Sequence, residues 1–309
     1  MSGVVAVATH VALLLLVPPL LFGVIGKTKA WFAGRIGPPL WQSYHDILKL
    51  LRKGAVYGRG TTWVFRAGPS VALGSTLVAG LIVPLGAGAG PLGFSGDVVA
   101  FAALLALGRF FTMAAALDTG SSFEGMGASR EAAFGAFTEP ALFLALAIVC
   151  LPAGDPTFAA AWAALPWNAW GPVSPVYLIA AVVLGIVLLA ENSRLPIDDP
   201  ATHLELTMVH EVMVLDHSGP DLAFILYGSA LKLFVFAALL VHLVLPVPAG
   251  GGWAGALLLV GGVLGVAVLV GVVESTVARL RLRLVPGFLI GAAALAAVGA
   301  AVLVARGQP

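Results

Sequence analysis

Long apolar runs separated by short polar connections dominate this chain. The runs extend from Val4 to Ile25, Gly68 to Leu85, Val98 to Leu117, Glu131 to Leu151, Ser174 to Ala190, Leu222 to Leu245, Trp253 to Val273 and Pro286 to Val304. Each is long enough, or nearly so, to cross ~30 Å of hydrocarbon as a helix, and the fifth needs residues from its flanks. In lipid the backbone must satisfy its own hydrogen bonds, which leaves helices or a closed barrel. Unbroken apolar runs, in place of short alternating ones, select helices. The pattern therefore predicts an all-α polytopic membrane protein of about eight transmembrane helices. Residues 1–309 form a single transmembrane domain in this reading, because no polar stretch is long enough to bury a core of its own.

Composition agrees with that solvent. Hydrophobic residues make up 60%, charged residues 10%, and mean hydropathy is +1.03, whereas a soluble domain carries roughly 25% charged residues. A formal net charge of +1 creates no field for nucleic acid. Cys150 is the only cysteine, which excludes an internal disulfide or a cysteine-held iron–sulfur cluster. The first run lacks a basic start and is followed by basic residues, so it is read as a retained helix and not as a signal peptide.

Charge placement orients the chain. The connections 26–67, 118–130, 191–221 and 274–285 fall on one side. Of the 16 Lys and Arg, Arg109 and Lys232 lie inside spans and Arg306 lies on the other side; all the rest fall in those four connections. The positive-inside rule makes that side cytoplasmic, with both termini outside. A prokaryotic cytoplasmic membrane is the expected location. On the outer side, Trp162, Trp167 and Trp170 suit an interfacial segment. No internal repeat or inverted pair of broken helices points to a secondary transporter.

Three ionisable residues stand deep in spans: Arg109 in the third, Glu139 in the fourth and Lys232 in the sixth. Each costs at least ~2.5 kcal/mol to insert. Structural pairing within the bundle and a hydrated ion path are both open readings.

The connection 191–221 is the second anomaly. It holds Glu191, Asp198, Asp199, Glu205, Glu211, Asp216 and Asp221, three histidines, and Arg194 as its one base. From Ala201 to Leu215 the pattern predicts an amphipathic helix, with His203, Thr207, His210 and Glu211 on one polar stripe. Crowded carboxylates raise one another's pKa and histidines titrate near neutrality, so such a stripe can exchange protons. A plain solvated loop is the competing reading, opposed by Met208, Val209, Val212, Met213 and Leu215, which need something to bury against. HEVMV lacks the second histidine of a zinc motif, so no metal site is expected.

After GPP, the first cytoplasmic connection places Leu40, Tyr44, Ile47, Leu48 and Leu51 on one helical face, ringed by Gln42, His45, Asp46, Lys49 and Lys53. An interfacial helix on anionic lipid and a docking surface for a soluble partner both fit this pattern.

Three segments carry a family resemblance: GRIGPPLWQSYHDILKLL, GMGASREAAFGAFTEP and ENSRLPIDDPATHLELTMVHEVMVLDHSGPDLAF. They resemble the NADH dehydrogenase subunit 1 superfamily, most closely its hydrogenase branch of formate hydrogenlyase subunit 4 and hydrogenase 4 component C. The resemblance implies the heel of a membrane-bound redox complex, with no cofactor bound by this chain. A nickel–iron centre and iron–sulfur clusters would sit in partners: hydrogenase large and small subunits and an iron–sulfur protein on the cytoplasmic side. Antiporter-like membrane subunits would lie alongside. The expected proton path joins the charges and polar stripe read from the residues themselves, Arg109, Lys232, His203, His210 and Glu211, with those the resemblance carries over, Glu139, Glu191, Asp198, Asp199 and Glu205. The docking surface comprises Arg35, Gly37, Pro38, Gln42, Asp46, Lys49, Arg130 and Arg194. Departures from the quinone-reducing members are ATHLEL in place of a run of glutamates, extra residues around His210 to Val214, and Lys232 without a mid-span carboxylate. They favour the hydrogenase branch and leave a quinone-site subunit as the alternative.

Overall fold

The computed structural model describes residues 3–86, 89–165, 174–198, 209–245 and 253–306, and it is helical throughout with no strand among them. The helices are α1 (Gly3–Leu16), α2 (Pro18–Phe32), α3 (Gln42–Leu51), α4 (Trp63–Ile82), α5 (Asp97–Asp118), α6 (Ser122–Cys150), α7 (Phe158–Ala163), α8 (Ser174–Glu191), α9 (Gly219–Val244), α10 (Trp253–Thr276) and α11 (Val285–Ala305). Six of them are long and apolar enough to cross a membrane, so the chain is a multi-pass membrane protein. The shorter α8 is also apolar, and α1 and α2 form a pair bent by 44°.

That bend has a local cause. Pro18 and Pro19 have no N–H for the carbonyls of Leu14 and Leu15, so the first apolar run breaks at Val17. An unsatisfied carbonyl in lipid is costly. The Tyr227 hydroxyl donates to the Leu15 carbonyl at 2.9 Å, and the Tyr44 hydroxyl donates to that of Leu16. The two tyrosines thus tie α9 and α3 to the break.

Hydrophobic burial centres on α9, whose Phe234, Val235, Phe236, Ala238 and Leu239 are fully buried. Around it pack α2, α4, α8 and α10; α5 lies on α4, and α6 on α8 and α11. Pairs of small residues let backbones approach, as expected where lipid gives no hydrophobic drive between helices. A Cβ at Gly68 of α4 would fall 2.7 Å from the Ala115 Cβ of α5.

Several boundaries differ from the hydropathy pattern. The connection 118–130 is mostly helix, because α6 begins at Ser122, and α2 continues to Phe32 through Lys27 and Lys29. Hydropathy marks where hydrocarbon ends, whereas a helix runs on while its backbone bonds are satisfied. The helix expected from Ala201 to Leu215 is corrected where it can be seen: Glu211–Val214 is a 3-10 turn preceded by a bend, and residues 201–208 lie outside the described residues. Asp198 accepts from the backbone N–H groups of Val209 and His210 just ahead of this turn, at 3.2 and 3.3 Å. Trp162 is partly buried, with its indole nitrogen enclosed and its ring stacked on His242, whereas Trp167 and Trp170 lie outside the described residues.

Candidate functional site: a charge cluster inside the bundle

Arg109 of α5 is the centre of the site. Its guanidinium directs one nitrogen at each of three carboxylates: Nε is 3.5 Å from Glu131, Nη1 is 2.5 Å from Glu139, and Nη2 pairs with Glu191. The planar fork of arginine suits this role, which a lysine ammonium does not match. Lys232 of α9 stands 3.6 Å from the other oxygen of Glu191. Four helices therefore converge on one ion cluster. The side chains of Arg109 and Glu191 are 8% and 3% exposed, so these charges do not snorkel.

Local sequence makes room for the cluster. A Cβ at Gly135 would sit 2.6 Å from Arg109 Nη1, so only glycine lets the guanidinium lie flat against α6. A cavity of about 60 Å³ is lined by Arg109, Glu131, Lys232, Ser229 and His210.

A second group of ion pairs lies nearer the C-terminal ends of α2, α8 and α10. Glu274 of α10 has a fully buried side chain shared by Lys29 of α2 at 2.8 Å and Arg194 at 3.1 Å. Arg279 pairs with Asp198 at 2.7 Å. Next to these opens a cleft of about 560 Å³, which Lys29, Arg194, Asp198 and Glu274 line together with Phe22, Leu222 and Leu226. His210 and Ser229 line both this cleft and the smaller cavity.

Of the residues expected in a proton path, Arg109, Glu139, Glu191 and Lys232 come together, and Asp198 and His210 lie beside them. Glu211 lines the cleft. Asp199, His203 and Glu205 lie outside the described residues. Glu131 was missed because it stood at the edge of an apolar run, and Glu274 and Lys29 because each looked like an ordinary flanking charge. A charge within the helical continuation of a span was the only available signal.

His210 departs from the expected neutral-pH titration. Burial, with the Lys232 charge next, pushes its pKa down to about 4. A lowered native pKa means that between about pH 6.5 and 4 the unfolded chain takes a proton which the native chain refuses. Stability should therefore fall as pH drops through that window. The thermal midpoint of His210→Gln should lose less over it than the parent's does; equal losses would show that another group carries the effect.

The expected docking residues divide. Arg35, Pro38 and Lys49 are exposed, and Gly37 adopts φ +68° where a Cβ would strike Ala30. Gln42 donates to Asp46 at 2.9 Å along α3. Around them Trp31, Ile36, Trp41 and Leu48 expose their side chains. Arg130 is partly buried, with Nη2 3.1 Å from the Met126 sulfur. Arg194 is corrected: it turns inward to Glu274 and stacks over Phe22, because a buried carboxylate outcompetes water for it. No three His, Cys, Asp or Glu side chains are placed to hold a metal ion among the described residues.

Comparison with known proteins places this architecture. The chain is 35% identical over 245 residues to hydrogenase-4 component C of Escherichia coli K12, covering 79% of this chain and 76% of that protein. It is 32% identical over 283 residues to formate hydrogenlyase subunit 4 of the same organism, covering 87% of this chain and 89% of the relative. A chain of the membrane-bound sulfane sulfur reductase, an archaeal respiratory membrane complex, shares the fold with a TM-score of 0.82 at 22% identity, covering 98% of this chain and 99% of its own. The family model for NADH dehydrogenase matches residues 4–305, and with these relatives it shows that the chain belongs to the NADH dehydrogenase family.

Proposed function

We propose that this chain is the membrane-arm heel subunit of a nickel–iron hydrogenase or formate hydrogenlyase-type complex. It docks a soluble redox arm and couples electron transfer to movement of protons or sodium ions. The observation that carries this reading is the Arg109 cluster, which gathers charges from four helices within the bundle of a chain related to hydrogenase-4 component C. Intramembrane charge of this kind marks an ion path or its control, and a simple anchor has no use for it.

The accompanying topology has the bent α1–α2 pair and the short α8 completing about eight crossings of a prokaryotic cytoplasmic membrane. Both termini lie outside in a single transmembrane domain. The face formed by Arg35, Gly37, Pro38, Gln42, Asp46 and Lys49 takes the hydrogenase subunits and an iron–sulfur protein. The nickel–iron and iron–sulfur groups belong to those partners and not to this chain. A redox change in the docked arm shifts the segment that begins at Glu191. Because Glu191 holds both Arg109 and Lys232, that shift alters the protonation of the cluster and biases neighbouring antiporter-like subunits.

Glu139→Gln tests this reading in the intact complex. Electron transfer from the soluble arm to an artificial acceptor should persist, while coupled ion movement into vesicles should be lost. Normal pumping by that variant would refute the assignment.

The quinone-site reading has one observation in its favour, the amphipathic cleft lined by Phe22, Leu222, Lys29 and His217. It requires a quinone-site inhibitor to protect Lys29 from amine labelling in the complex. Full labelling at saturating inhibitor would remove it.

A further inference from the structure

Glu139 is paired with Arg109, yet its side chain is 41% exposed on the surface of the chain. It lies seven residues, about 10 Å along the helix axis, beyond Ala132 in the apolar part of α6. A half-exposed carboxylate at that depth is costly against acyl chains. The neighbouring exposed positions fall on the same helical stripe: Ala132, Ala136, Pro140 and Phe143. Pro140 has no N–H to offer the carbonyl of Ala136, so a second acceptor lies on this stripe. The charge count points the same way. Among the described residues of the cluster, Arg109 and Lys232 face Glu131, Glu139 and Glu191, so acids outnumber bases. The nearby Asp198 already has its own cation in Arg279.

We propose that this α6 stripe receives a transmembrane helix of another membrane subunit, one that presents a cation or hydrogen-bond donor to Glu139. The small residues Ala132 and Ala136 let a second backbone approach, as helix interfaces in lipid require. A second copy of this chain fits poorly, because symmetric contact through the stripe would set one Glu139 against another. The inference rests on the chain working within a complex, and it names the surface by which the charge cluster reaches a neighbour.

A photo-crosslinking amino acid placed at Phe143 of the complex in native membranes tests it. The expected product is an adduct with a different membrane polypeptide. Adducts with lipid only, or with a second copy of this chain, would overturn the proposal. In parallel, Ala136→Trp should reduce a co-purifying membrane subunit at least about fivefold in mild detergent, while Leu257→Trp on the exposed face of α10 should not. Retention of every subunit by Ala136→Trp would overturn the proposal equally. These readouts are independent of coupling: a Phe143 adduct together with normal pumping by Glu139→Gln would sink the functional reading and leave the interface standing.

Discussion

Arg109→Leu is expected to remove the chain from the membrane almost entirely. The substitution leaves Glu131, Glu139 and Glu191 facing one another, with Lys232 the one cation of the cluster left among the described residues. Breaking a buried ion pair by deleting one partner costs about 3–5 kcal/mol, which is comparable with the ~5–15 kcal/mol that holds a native fold together. Quantitative blotting of membranes and the thermal midpoint of the purified complex both report the loss. Arg109→Lys should recover part of the stability, because an ammonium restores charge without the fork that serves three carboxylates. Leucine at parental abundance and midpoint would mean that the cluster is not held by Arg109.

Gly135→Ala carries the second-largest expected effect and separates coupling from folding. Alanine favours helix over glycine by about 0.8–1.0 kcal/mol, so backbone propensity alone predicts a slightly more stable α6. The added methyl would, however, meet Arg109 Nη1 at 2.6 Å and its Cδ and Cζ at 3.2 Å. The guanidinium has to lift from α6, which disturbs its pairing with Glu139 on that helix. Overpacking of this kind costs about 1–3 kcal/mol, small enough for the chain to assemble. The complex should form and turn over with an artificial acceptor, while vesicles show at least a severalfold loss of ion movement per electron. Undiminished ion movement would place Arg109 outside the coupling path.

Much of this arrangement was legible in the sequence because lipid enforces a strong rule. Arg109, Glu139 and Lys232 stood out as charges where hydrocarbon tolerates none, and they join one cluster, Glu139 through Arg109 and Lys232 through Glu191. The break at Val17 was missed: apolar continuity hid Pro18 and Pro19 inside one predicted span. What could not be read was distance between elements. Lys29, Arg194 and Glu274 are far apart along the chain, and each sits where an interfacial charge is ordinary. His210 looked like a neutral-pH titrator because the sequence does not show that its side chain lies partly out of water and near the Lys232 charge. The amphipathic pattern ending at Leu215 read as α-helix because period alone cannot foresee that Asp198 takes the N–H groups of Val209 and His210.

Glu274 gives this architecture the behaviour of a see-saw. One carboxylate carries α2 on one arm and the segment after α8 on the other, through Lys29 and Arg194. Withdrawal of Lys29 would leave the whole negative charge to Arg194 and tighten that grip, whereas release of Arg194 would do the reverse. A push delivered to the C-terminal part of α2 is thereby felt three residues from Glu191, without any backbone continuity between the two.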